Sequence, residues 1–128
     1  MTAPKIHRLG DLQLEIMKTL WDRGSASVAT VHEAVAAERG LAYTTVATML
    51  RKMEARGLVK HRLDGRSFAY QALIPADAVS RGMASHLLDR LFEGSLADMV
   101  RHLLTTREVS RQELSKLERL IAERKKAL

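Results

Sequence analysis

"AYTTVATMLRKMEARGLVKH", residues 42–61, is the stretch whose reading decides the fold. On a helical wheel of about 100° per residue, Val46, Met49, Leu50 and Met53 fall within about 60° of one direction and form an apolar stripe. Thr44, Thr48, Arg51 and Ala55 lie diametrically opposite, flanked by Thr45, Ala47 and Lys52, while Glu54 stands off to one side. The outer face therefore carries no carboxylate, and its side chains are short near the helix start. Most surface helices have a polar outer face that is merely solvated. Taken alone, this one decides nothing; its neighbours do.

Directly after it, "LVKHRLDGRSFAYQAL" (58–73) alternates through Leu58, Lys60, Arg62 and through Val59, His61, Leu63. It turns at Asp64-Gly65 and returns through Phe68 and Tyr70, which is the pattern of a β-hairpin. Upstream, residues 11–23 place Leu12, Ile16 and Leu20 at i, i+4, i+8, with Met17 and Trp21 beside them. That spacing predicts a first helix, stopped by Gly24. Ser27 is a candidate N-cap for a second helix from Val28 to about Arg39, with Val31 and Val35 inward and Gly40 at its end. The third helix is expected over Tyr43–Arg56, closing on Gly57. Three short helices followed by a basic hairpin is the order of a winged helix-turn-helix.

In that arrangement the outer face of the third helix approaches base edges, where bulky or acidic groups would clash with bases or repel phosphates. A threonine bonds bases or phosphates and packs its methyl on thymine, and an arginine bonds guanine bidentately. Thr44, Thr45, Thr48, Arg51 and Lys52 on the helix are therefore candidate DNA contacts. On the wing the candidates are Lys60, Arg62 and Arg66, with Gly65 letting the tip come close to a backbone. Arg62 and Arg66 are assigned mainly to phosphates or the minor groove, giving affinity and salt dependence rather than sequence choice. Asp64 reads as a turn residue.

Beyond the hairpin the chain is helical again. A segment opened by Pro75 and running to Phe92 carries Val79, Met83, Leu87 and Leu91 as an apolar stripe, and Gly94 breaks it. Ser95 starts a shorter helix to Leu104. Ser110-Arg-Gln-Glu113 is a capping-box pattern for a last helix with Leu114, Leu117 and Ile121 on one side. Residues 74–128 are few for a core of their own; pairing with a second copy would bury these stripes, and packing back on the N-terminal part in a monomer is the alternative. The fold class expected is mainly α with a small β-hairpin wing. A winged helix-turn-helix domain spans residues 1–73, and a helical dimerisation region spans 74–128.

Composition agrees with this division. The net charge is +6, and residues 51–66 hold 6 Lys/Arg against 2 Asp/Glu, so the excess is concentrated on the recognition helix and wing. With no cysteine, disulfides and thiolate sites are excluded. No apolar run approaches a membrane span and the N-terminus has no apolar signal core, so no membrane insertion and a cytoplasmic location are expected. A Gly-rich phosphate loop, an HExxH pair and a nucleophile elbow are all absent, which argues against an enzyme and leaves no catalytic residue to assign. The five histidines are His7, His32, His61, His86 and His102. His86 with Asp89 and His102 with Asp98 have spacings that could grip a cation, so a regulator controlled by a metal or small ligand is the alternative reading. No metal site or cofactor is assigned.

Five segments, "RLGDLQLEIMKTLWDRG", "ATVHEAV", "LAYTTVATMLRKMEARGLVKH", "DGRSFAYQAL" and "LFEGSLADMVRHLL", occur in an order and spacing that resemble the penicillinase-repressor family of BlaI/MecI type. The resemblance runs from Leu9 to the last helix. It implies a homodimeric winged-helix repressor on an inverted-repeat operator, paired by its C-terminal helices. It also implies a membrane sensor metalloprotease as partner, whose activation leads to cleavage of the repressor within that region. By position the resemblance puts the cut near His102-Leu103, where known targets in the family favour an Asn-Phe bond that this chain lacks. A related branch senses copper through paired cysteines, which are absent here.

Overall fold

The apolar stripe on the third helix is its core face: Val46, Leu50 and Met53 are each 0% exposed. The computed structural model describes residues 9–36 and 39–128. Its elements are α1 (Asp11–Arg23), β1 (Ala26–Ser27), α2 (Val28–Ala36), α3 (Tyr43–Ala55), β2 (Val59–Asp64), β3 (Ser67–Ala72), α4 (Ala76–Phe92), α5 (Leu96–Thr106) and α6 (Arg111–Ala127). Positions 37 and 38, within the stretch expected to extend the second helix, lie outside the described residues, as does His7.

Ile16, Met17 and Leu20 from α1 meet Val31 and Val35 from α2 and the buried stripe of α3. Leu58, Val59 and Tyr70 close this core from the hairpin side. Removing such side chains from water stabilises by about 1.5–3 kcal/mol each, and this small cluster is what fixes the outward direction of α3. Gly24 ends α1 at φ +81°, where its N–H donates to the Leu20 carbonyl at 2.8 Å. A side chain there would be strained, so the chain turns where the sequence has its glycine.

The sheet has the order β1-β3-β2, antiparallel throughout. In the hairpin Val59 pairs with Ala72 and Asp64 with Ser67, leaving Gly65 and Arg66 as the two-residue loop. The turn is thus centred one residue beyond the expected Asp64-Gly65. The two-residue β1 adds a third strand through Ala26↔Tyr70 and Ser27↔Ala69. Ser27 also caps α2 as expected, its hydroxyl accepting from the Thr30 N–H at 3.1 Å.

The chain separates into two units, one reaching His86 and the other Leu87–Leu128. The start of α4 packs with the winged-helix core: Val79 is 1% exposed within it and Met83 packs against it. This corrects the expectation for Val79 as a dimerisation residue. Its surface is already consumed inside its own unit, leaving none for a partner. On the same side, the Trp21 indole N–H donates to the Ile74 carbonyl at 2.8 Å and ties α1 to the segment entering α4.

In the second unit, the Ser95 hydroxyl accepts from the Asp98 N–H at the start of α5, and the Ser110 hydroxyl from the Glu113 N–H at the start of α6. Neither helix buries a single residue. Leu91 is 67% exposed and Ile121 56%, and Leu87 and Leu114 are also exposed. Leu103, Leu104, Val109 and Leu117 line an open groove of about 550 Å³ between α5 and α6.

Candidate nucleic-acid interface

Because Val46, Leu50 and Met53 are locked into the core, the opposite side of α3 faces solvent. Thr44, Thr45, Arg51 and Lys52 are exposed, and Thr48 is half-buried. Arg51 lies along the helix with its guanidinium donating to the Thr48 hydroxyl at 3.1 Å. A depression at the start of this face is lined by Thr44, Thr45, Thr48, Met49 and Lys52. Five of the eight candidate contacts thus lie on one outer surface of a rigidly packed helix.

The acidic residue of α3 is turned away from that surface. Glu54 accepts from the His61 main-chain N–H at 3.2 Å, and its two oxygens lie 2.6 and 2.7 Å from His61 Nδ1. The Tyr70 hydroxyl is held above its ordinary range, first by burial and then by the Glu54 charge nearby. Elsewhere, Glu15 on α1 is bridged by Arg39 through two 3.0 Å bonds. The Arg39 hydrogen bond outweighs the desolvation that opposes it and holds the Glu15 carboxyl below its ordinary range. Gln13 joins α1 to α3, donating to Met49 Sδ at 3.5 Å and accepting from Arg56 at 3.3 Å.

The wing does not bring its three basic candidates together. Strand alternation puts His61 on the face that meets α3, so Lys60 and Arg62 project from the opposite face. Arg66 sits in the loop beside Gly65, whose φ is +67°. It lines a depression of about 270 Å³ with Ser27, Val28, Ser67, Phe68 and Tyr43. Arg66 is therefore the wing cation placed next to the beginning of α3.

Tyr43 was not singled out in the sequence. It is 49% exposed at the first position of α3, and its ring meets His32 edge-on at a centroid distance of 5.8 Å. His32 is itself held by the Leu41 carbonyl, 2.8 Å from Nε2. The available signal was an aromatic residue beginning a helix whose inward stripe starts only three residues later. Among the described residues no three His, Asp or Glu side chains gather as a cation site. Asp98 pairs with Arg101 at 3.1 Å, and the His102 ring lies 5.9 Å from Phe92.

Residues 9–123 match the family profile described as penicillinase repressor. The penicillinase repressor of Bacillus licheniformis is 27% identical over 121 residues, covering 94% of each chain. The transcriptional regulator BlaI of Mycobacterium tuberculosis is 40% identical over 80 residues, 62% of this chain and 58% of that one. A solution structure of the DNA-binding domain of the repressor BlaI superposes with a TM-score of 0.50 at 29% identity, covering 57% of this chain and 89% of that domain. Since the family match spans both units and the first unit has the winged-helix architecture, the chain belongs to the penicillinase repressor family of transcriptional repressors, which bind DNA through a winged helix.

Proposed function

We propose that the chain represses transcription as a homodimer occupying an inverted-repeat operator in double-stranded DNA, in the cytoplasm. The observation that carries this reading is the outer face of α3, where Thr44, Thr45, Arg51 and Lys52 stand exposed and Thr48 half-buried, with no carboxylate among them. Thr44, Thr48 and Arg51 read base edges, and Thr45 and Lys52 flank them. Arg66, with Lys60 and Arg62 more peripherally, holds phosphates. Pairing falls to Leu87, Leu91, Leu114, Leu117 and Ile121, with Met83 at the margin of the winged-helix core. Leu114 and Ile121 stand exposed on α6, which buries no residue, and Leu87 and Leu91 stand exposed near the end of α4, which supports that assignment. Among the described residues no helix is long and apolar enough to cross a membrane.

Release follows from loss of pairing. Two linked half-site binders gain roughly 10²–10⁴-fold in affinity over separate ones. A cut at His102-Leu103 by a membrane sensor metalloprotease would forfeit that gain while leaving every DNA contact intact. The bond lies inside α5, so cleavage must wait on local opening of that helix.

Selection of duplexes from a random pool by the full chain tests the reading. The enriched sequences should show dyad symmetry, with half-sites spaced by about one helical turn or a multiple of it. Enrichment without symmetry, or equal affinity for selected and random duplex, would sink it.

A further inference from the structure

Both oxygens of Glu54 are engaged by a single wing residue. The His61 main-chain N–H donates to one at 3.2 Å, and ring Nδ1 stands 2.6 and 2.7 Å from the pair. A carboxylate only accepts, so the ring carries its proton on Nδ1. Phe68 and Tyr70 from the facing strand pack on the imidazole at centroid distances of 4.3 and 5.5 Å. Beyond Val59, β2 buries nothing in the core, and it is one of the two edge strands of the sheet.

Most surface ion pairs contribute little, because two flexible side chains must be held in one geometry. This one differs in that one of its donors is a main-chain amide, which cannot swing away unless the strand moves with it. Glu54 lies three residues after Arg51, about 60° round the helix from it and off the outer face. The bond therefore ties the flank of α3 next to Arg51 to the hairpin that carries Arg66.

We propose that Glu54 is a positioning residue for DNA reading: by gripping the main chain and ring of His61 it sets the angle of the wing to α3, so that Arg66 and Arg51 meet one duplex together. The proposal rests on the assignment of Arg51 to bases and Arg66 to phosphate. A wing held in place before binding loses less freedom on meeting the backbone, which is where the gain arises.

The test is a double-mutant cycle in the full chain, using the duplex selected by the wild type as probe. Glu54→Ala should weaken binding by about tenfold, the scale of a lost charged hydrogen bond. Arg66→Ala should then cost several-fold less in the Glu54→Ala background than in the wild type. Glu54→Gln keeps an acceptor for the His61 amide and should restore most of the affinity. Additive losses from Glu54→Ala and Arg66→Ala would overturn the proposal, as would Glu54→Gln binding no better than Glu54→Ala. In the free protein, amide hydrogen exchange over residues 60–71 should quicken in Glu54→Ala while α1, α2 and α3 stay protected; unchanged hairpin exchange also overturns it. If Arg66→Ala alone leaves binding unaltered, the phosphate assignment fails, and hairpin exchange alone decides for or against the grip.

Discussion

Arg51 donates to the Thr48 hydroxyl at 3.1 Å, one turn back along α3, so two of the three residues proposed to read bases are already joined in the free protein. The bond holds an exposed arginine along the outer face instead of letting it sweep solvent. Thr48→Ala and Arg51→Ala should each relax sequence choice, by about 1–3 kcal/mol where a base contact is lost. Because the two side chains touch, the double variant should lose less than the sum of the singles. Titration of each variant against selected and random duplex is the measurement. Equal weakening on both DNAs would contradict base reading.

Arg66 stands at the wing loop, beside Tyr43 and the start of α2, and its assigned role is a phosphate contact. Arg66→Ala should weaken binding to every sequence alike. The slope of log affinity against log salt should flatten by about one unit for one lost contact. Affinities measured over a salt series give the slope directly, and an unchanged slope removes Arg66 from the phosphate contacts.

Glu15 gives the winged-helix unit a pH dependence of known sign. Its carboxyl is lowered in the folded state, chiefly by the Arg39 hydrogen bond, so the folded protein binds the proton less readily than the unfolded chain. The resulting stability is complete above the ordinary carboxylate range and is lost as pH falls through the lowered folded value. Glu15→Gln should therefore flatten the acid side of the stability curve and leave the neutral side with little dependence on pH. Urea unfolding at a series of pH values from neutral to acid checks this; parallel curves for both proteins would mean the bridge does not persist in solution.

The stripe of α3 was legible because its periodicity and its burial are one property: 3.6-residue spacing of Val46, Leu50 and Met53 needs only a single apolar side to face. The caps at Ser27 and Ser110 were legible for an equally local reason, each being satisfied within its own first turn. What was hidden depends on partners distant in the chain. Two residues of β1 carry no alternation to detect, and they become a strand only because β3 offers a free edge. Glu54 could be placed beside the outer face, but its partner His61 lies across the chain reversal at Gly57, which a wheel does not represent. Val79 fell in a stripe with Met83, Leu87 and Leu91, and periodicity says that a face is buried without saying against what. The structure divides that stripe, with Val79 in the winged-helix core and Leu91 67% exposed.

That division separates two kinds of leucine-to-aspartate or valine-to-alanine effect that the sequence alone would have merged. Val79→Ala removes two methyl groups from a packed core and should lower unfolding stability by about 2 kcal/mol, with the monomer–dimer equilibrium unmoved. Ile121→Asp instead puts a charge on surface that its own unit leaves exposed, and Leu117→Asp puts one in the half-buried groove beside α5. Such a variant should keep the stability of the winged-helix unit and sediment as a monomer. Its affinity for the selected duplex should drop by the roughly 10²–10⁴-fold that linkage of two half-sites supplies. Sedimentation and urea unfolding of the same three variants make the comparison. A Leu117→Asp or Ile121→Asp chain that remains dimeric would take α6 out of the interface, and a monomeric Val79→Ala chain would return Val79 to it.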